Sequence, residues 1–113
     1  MTLPVVFRPQ ATEELLAACD FLEAQREGLS PRLIGEVRKV IDRISVHPEL
    51  HGFVLNDIRR AAVRRFPYSV FYRVTPGRID VLAVFHDSRD PAEWQSRTSV
   101  ATEQASANSP GEP

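Results

Sequence analysis

His86 closes an apolar run, Val81-Leu82-Ala83-Val84-Phe85, and is followed by Asp87-Ser88-Arg89-Asp90. A histidine titrates near neutral pH, so it can take a proton from one group and return it to another. Phosphodiester cleavage without a metal needs such a group, positive charge at the phosphate, and an acid for the leaving oxygen. Arg65, Arg73 and Arg89 supply positive charge, so with His86 they form the catalytic set if the chain is a nuclease. Tyr68 and Tyr72 could stack on a base or donate a proton. Arg59, Arg60, Arg64, Arg65, Tyr68, Tyr72 and Trp94 are the residues suited to contact with a partner or a nucleic acid. A plainer part is also open to His86, bracing its loop by a hydrogen bond to Asp87 or Asp90.

Other chemistries are excluded or weakly supported. His47 and His51 are four apart, but Pro48 breaks the helix that would place them on one face. Two histidines alone rarely hold a metal, and no metal site is expected. Cys19 is the only cysteine, which rules out an internal disulfide. There is no glycine loop for a phosphate cofactor and no nucleophile elbow, so no cofactor is expected. No apolar run approaches the roughly 20 residues of a membrane span. No secretion signal opens the chain, so the expected compartment is the cytoplasm.

The 113 residues hold 14 basic and 15 acidic side chains, one domain's worth of chain without a strong overall charge. The charges are unevenly placed. Residues 1–56 carry six basic groups against eight acids, a net of −2, whereas residues 57–97 carry eight arginines against five acids, a net of +3. Arginine suits bidentate contact with phosphate or carboxylate, so this half could face RNA, DNA or an acidic protein segment.

The elements that must position these residues follow from periodicity. Leu3 to Phe7 reads as a short strand. Pro9 suits the first turn of a helix, in which Leu15, Ala18, Cys19 and Leu22 share a face and the acids near the start favour the positive helix end. Gly28 stops it. Ser30-Pro31 reads as an N-cap and first-turn proline, and Leu33, Val37, Val40 and Ile44 stripe a second helix that Pro48 ends. The period then changes to two. Strands are expected over Arg59–Phe66, Tyr68–Val74 and Ile79–His86, the last two joined by a type II turn at Thr75-Pro76-Gly77-Arg78. The last strand is apolar on both faces and should be covered. Asp90-Pro91-Ala92-Glu93-Trp94 opens a short helix that Trp94 could dock. The fold class is α+β: an N-terminal strand and an antiparallel helical hairpin on an antiparallel sheet with a three-strand C-terminal meander. One domain is expected over 1–97, followed by a disordered polar tail, 98–113, that lacks the apolar content to offset ordering entropy.

Val63-Arg64-Arg65-Phe66-Pro67-Tyr68-Ser69-Val70-Phe71-Tyr72-Arg73-Val74 and Val81 through Pro91 resemble the RelE/ParE superfamily, toxins of bacterial type II toxin–antitoxin modules. Phe7-Arg8-Pro9-Gln10-Ala11 and His47-Pro48-Glu49-Leu50-His51-Gly52 also look like their counterparts there. The resemblance implies growth inhibition by the free toxin and neutralisation by a small antitoxin, with operator DNA met only through that antitoxin. RelE-like members cut messenger RNA on the ribosome, and ParE-like members inhibit DNA gyrase. The nuclease branch's lysine cluster is missing, since Lys39 stands alone, and the His-x-x-Arg-Asp turn at His86–Asp90 looks more like the ParE branch. The expected function is therefore a ParE-like gyrase inhibitor. The alternatives are a ribosome-dependent mRNA endonuclease and a non-toxic member that only binds antitoxin and operator.

Overall fold

The structure, a computed structural model, describes residues 2–96. Arg97 and the tail expected to be disordered lie outside the described residues. The sheet has five strands in the order β1-β5-β4-β3-β2. These are β1 (Val5–Phe7), β2 (Phe53–Leu55), β3 (Ile58–Ala62), β4 (Tyr68–Thr75) and β5 (Arg78–His86). Two helices, α1 (Pro9–Gln25) and α2 (Leu29–Val46), lie between β1 and β2 in the chain. β3, β4 and β5 form the expected antiparallel meander, and β2 adds a fourth antiparallel strand to it. β1 joins parallel to β5, with Val5 opposite Ile79 and Phe7 opposite Val81.

Pro9 stands at the start of α1, where its missing N–H would have had no intrahelical partner. The first turn carries no acid, so the expected charge–dipole support is not made there. Glu14 falls in the second turn and does a different job. Its Oε1 accepts the Val84 N–H at 3.0 Å. The residues of β1 pair only as far as Val81, and Glu14 serves the strand edge beyond them.

Ser30 does not cap α2 as expected. The helix already starts at Leu29, after Gly28, whose φ of +94° is the left-handed region that glycine enters freely. The Glu23 carboxylate of α1 takes the Gly28 N–H at 2.9 Å and the Ser30 N–H at 2.8 Å. One helix therefore caps the next. Along α2 the stripe Leu33, Val37, Val40 and Ile44 is buried against the sheet, as its spacing predicts.

The expected strand 59–66 is shorter than its sequence suggests and starts one residue earlier. Arg65 has φ +72° and Pro67 has no N–H to give, so residues 63–67 turn, and the Val63 N–H bonds the Tyr68 carbonyl at 2.8 Å. β2 was not expected at all, because three residues are too few to show alternation. It is paired to β3 through a tight turn in which Asn56 has φ +50°. The Thr75–Arg78 turn is as expected, with Gly77 at φ +85° in its third position.

β4 and β5 are buried on both faces. On one side Val70, Tyr72, Val81 and Val84 meet the helical hairpin. On the other, Ile58, Phe71, Leu82 and Phe85 form a second cluster with Trp94, carried on the short helix 92–96. Trp94 stacks on Phe71 with ring centres 4.3 Å apart. Among the described residues no helix is long and apolar enough to cross a membrane.

The two N–H bonds that Glu23 accepts hold its carboxyl below the ordinary value of 4.5, because they favour the charged form. A depressed carboxyl stabilises the fold above its unfolded-state value, and that contribution is lost as pH falls through the folded value. Thermal unfolding should therefore show a lower midpoint for Glu23→Gln at neutral pH. The gap to wild type should close as the pH drops below 4.5. A gap independent of pH would show that the carboxylate's charge is not what caps α2.

Candidate functional site

The strand register decides which of the expected site residues can act together. Arg59 is paired with Tyr72, Arg60 with Phe71, and Ile58 with Arg73. Successive side chains point to opposite faces, so Arg59 and Tyr72 lie on the hairpin side and Arg60 and Arg73 on the Trp94 side. Arg64 and Arg65 belong to the β3–β4 turn instead. The catalytic set proposed for a nuclease is thus divided: His86 stands at the end of β5 opposite Tyr68 and shares a cavity with Arg89, Arg73 lies further along the sheet opposite Asp80, and Arg65 is in the turn.

Among the described residues of the Trp94 face each arginine has its own carboxylate. Arg73 pairs with Asp57 at 2.9 Å, Arg60 with Asp87 at 3.5 Å, Arg89 with Glu93 at 2.7 Å and Arg78 with Asp80 at 2.9 Å. Arg89 also lies over the Phe85 ring at 4.1 Å. His86 is a loop brace, but its partner is Ser88 rather than Asp87 or Asp90. Its Nδ1 accepts the Ser88 N–H at 3.0 Å and lies 2.8 Å from Ser88 Oγ. Asp87 is held by Ser69 Oγ at 2.8 Å, and Asp90 accepts the Ala92 N–H at 3.0 Å. Arg60, Phe71, His86, Arg89 and Trp94 border a cavity of about 290 Å³, and Trp94, 3% exposed, fills the middle of that face.

The aromatic residues expected to meet a partner are mostly inside. Tyr68 is 7% exposed and Tyr72 is fully buried, so neither offers a ring face for stacking a base. Burial raises both phenols above their ordinary 10.0, which leaves neither to supply an anion near neutral pH. Tyr68 meets the His86 ring edge-on at 5.1 Å. Tyr72 OH donates to the Pro48 carbonyl at 3.0 Å. Arg59 works in the same place. Its Nη1 donates to the His51 carbonyl at 2.6 Å and the Glu49 carbonyl at 3.3 Å, while its guanidinium covers Phe53 at 3.9 Å. Together they clamp the 48–51 loop onto the sheet. His51, partly buried there and near Arg43 and Arg59, has its pKa lowered by all three, burial first. Among the described residues no group of histidine, cysteine or carboxylate side chains could hold a metal.

A second site escaped the sequence reading. A cleft of about 570 Å³ runs between α2 and the β3–β4 turn. Its rim carries Arg26, Arg32, Lys39, Arg64 and Arg65, with Glu36 the one acid. Lys39 pairs with Glu36 at 3.3 Å. No ion pair among the described residues engages the four arginines, in contrast to those of the Trp94 face. Leu29 and Phe66 give the cleft an apolar lining, and Gly35 lies between Arg32 and Lys39 along α2. The signal was present in the sequence. Leu29, Arg32, Glu36 and Lys39 recur at helical spacing on the flank of α2 beside its apolar stripe.

Two residues of this cleft are poor choices for the backbone they occupy. Gly35 sits inside α2, where it costs about 1 kcal/mol relative to alanine. Nothing lies within 4 Å of where its Cβ would be, so packing within the chain does not require it. Arg65 holds φ +72°, a conformation that costs a non-glycine residue about 1–2 kcal/mol. The fold alone would be better served by alanine at one position and glycine at the other.

A helical hairpin on a mostly antiparallel sheet, a plugged outer face and a basic cleft at its edge define a compact α+β domain. The sequence profile described as "ParE toxin of type II toxin-antitoxin system, parDE" matches residues 5–91, and the chain belongs to that family. Among solved structures, a chain of the "Chromosomal ParDE TA system from P. aeruginosa" has the same fold. It superposes with a TM-score of 0.67 at 16% identity, over 75% of this chain and 96% of that one. A search of curated proteins finds no match.

The loop clamp makes a stability prediction. Tyr72→Phe keeps the buried ring but leaves the Pro48 carbonyl without its donor, which should cost about 1–3 kcal/mol. Denaturant unfolding of the variant measures it. An unchanged midpoint would mean that water reaches that carbonyl.

Proposed function

We propose that this chain is a growth-arresting toxin that works in the cytoplasm by inhibiting DNA gyrase and is neutralised by a small antitoxin made beside it. The observation that carries the choice of target is the state of the Trp94 face. The histidine that a metal-free nuclease would use is engaged at Nδ1 by Ser88, and the two arginines that share its cavity, Arg60 and Arg89, are ion-paired within the chain. The two tyrosines that could have stacked on a base are buried. Among the described residues the charges beside His86 are already paired, so action by binding a protein target fits this face better than RNA cleavage. Family membership and the likeness to a chain of a ParDE system support the toxin role and an antitoxin partner.

Inducible expression should arrest growth, with DNA replication falling before protein synthesis, and co-expression of the neighbouring small open reading frame should restore it. Purified protein should block gyrase supercoiling, and His86→Ala should block it equally well. Site-specific mRNA breaks in a translation extract, abolished by His86→Ala, would reverse the assignment to the nuclease branch. Normal growth under full induction would leave only an antitoxin- and operator-binding role.

A further inference from the structure

We infer that the cleft between α2 and the β3–β4 turn binds the phosphate backbone of a nucleic acid. The inference goes beyond the gyrase reading and stands or falls without it, because it concerns the chain alone. Three observations converge on one place. Arg26, Arg32, Arg64 and Arg65 ring the cleft without an intramolecular ion pair among the described residues, while Lys39 and Glu36 cancel each other. Gly35 leaves open space over α2 that packing within the chain does not need. Arg65 keeps a long cationic side chain at φ +72°, where glycine would relieve the backbone. Local rules are broken twice, and both breaks open on the same charged groove. Departures of this kind collect where a chain meets something outside itself.

The ligand class follows from geometry and charge. From Arg32 to Lys39 the helix rises about 10 Å. One nucleic-acid strand carries a charge every ~3.4 Å of axis, so that length faces about three phosphates. The cations come from the end of α1, from α2 and from the β3–β4 turn, so they line both walls of a groove. A backbone of evenly repeated anions meets all of them, whereas a peptide would need several consecutive acids to do so. Guanidinium forks match phosphate oxygens bidentately, and the missing Cβ at Gly35 lets a strand lie close to the helix. The arginines of the Trp94 face are neutralised by their own carboxylates and take no part.

The test is fluorescence anisotropy of the purified full-length chain with a short labelled DNA duplex, with one of its strands, and with polyglutamate, across a range of salt. With about three phosphate contacts, duplex affinity should fall about 40-fold between ~50 and ~200 mM salt, whatever the base sequence. Arg64→Ala should lower the salt slope by about one contact. Arg65→Gly should weaken binding while the unfolding midpoint stays level or rises, so misfolding is excluded as the cause. Gly35→Glu should likewise weaken binding in a helix that is no less stable. Arg38→Ala, exposed on α2 but outside the cleft, removes the same charge and should leave the slope unchanged. Tighter binding of the single strand, with its shallower slope of about 0.7 per contact, would support the cleft and identify unpaired strands as its source. Tighter binding of polyglutamate than of either nucleic acid would overturn the inference, as would wild-type binding by Arg65→Gly or no binding at low salt.

Discussion

β5 carries apolar side chains on both faces, and so does most of β4. A pair of strands like that cannot stand in water on either side, so the sheet has to be covered twice. The helical hairpin covers one face. The other receives, among the described residues, the helical segment 92–96, which brings Trp94 to stack on Phe71 and close the second cluster. This requirement displaces any working surface. The middle of the sheet is spent on packing, and what remains accessible is a rim, of which the cleft beside α2 is the most strongly charged part.

The arginines show how pairing changes the meaning of charge. Exposed ion pairs contribute only about 0–1 kcal/mol each, so the pairs of Arg60, Arg73 and Arg89 do little for stability. Their consequence is local neutrality. The basic character of residues 57–97 is therefore not spread over the sheet. It persists mainly where Arg64 and Arg65 leave the strands and join Arg26 and Arg32 from the helices. Charge counted along the chain and charge felt by a partner are different quantities, and the fold converts one into the other.

The strongly periodic features were legible beforehand. The stripe Leu33–Ile44, the alternation of Tyr68–Val74, the turn at Pro76-Gly77 and the docking of Trp94 each follow from local spacing, and the structure has them. The misses share one physical cause, dependence on contacts distant in sequence. β2 is three residues long and exists because β3 pairs with it. Glu14 and Glu23 look like solvated helix acids until Val84, Gly28 and Ser30 are placed beside them. Arg65 reads as a strand residue unless its positive φ is known. The Trp94 face shows the limit most clearly. Its residue types suit phosphate chemistry, but register and pairing set Arg65 apart from the rest and occupy the others.

The parallel seat of β1 on β5 has a consequence for how the protein is made. Val5 and Ile79 are 74 positions apart in the chain, so the first strand to be synthesised must wait for the last before it can pair. Contacts of such long range are slow to form and cannot form at all on a partly emerged chain. The helical hairpin, capped from within by Glu23, depends on contacts local in sequence to begin forming. The sheet cannot close early, because β5 lies inside it and is translated last of the five strands. A nascent chain therefore carries no finished sheet until β5 has left the ribosome. That interval gives any binding partner already present time to meet the protein before its fold is complete.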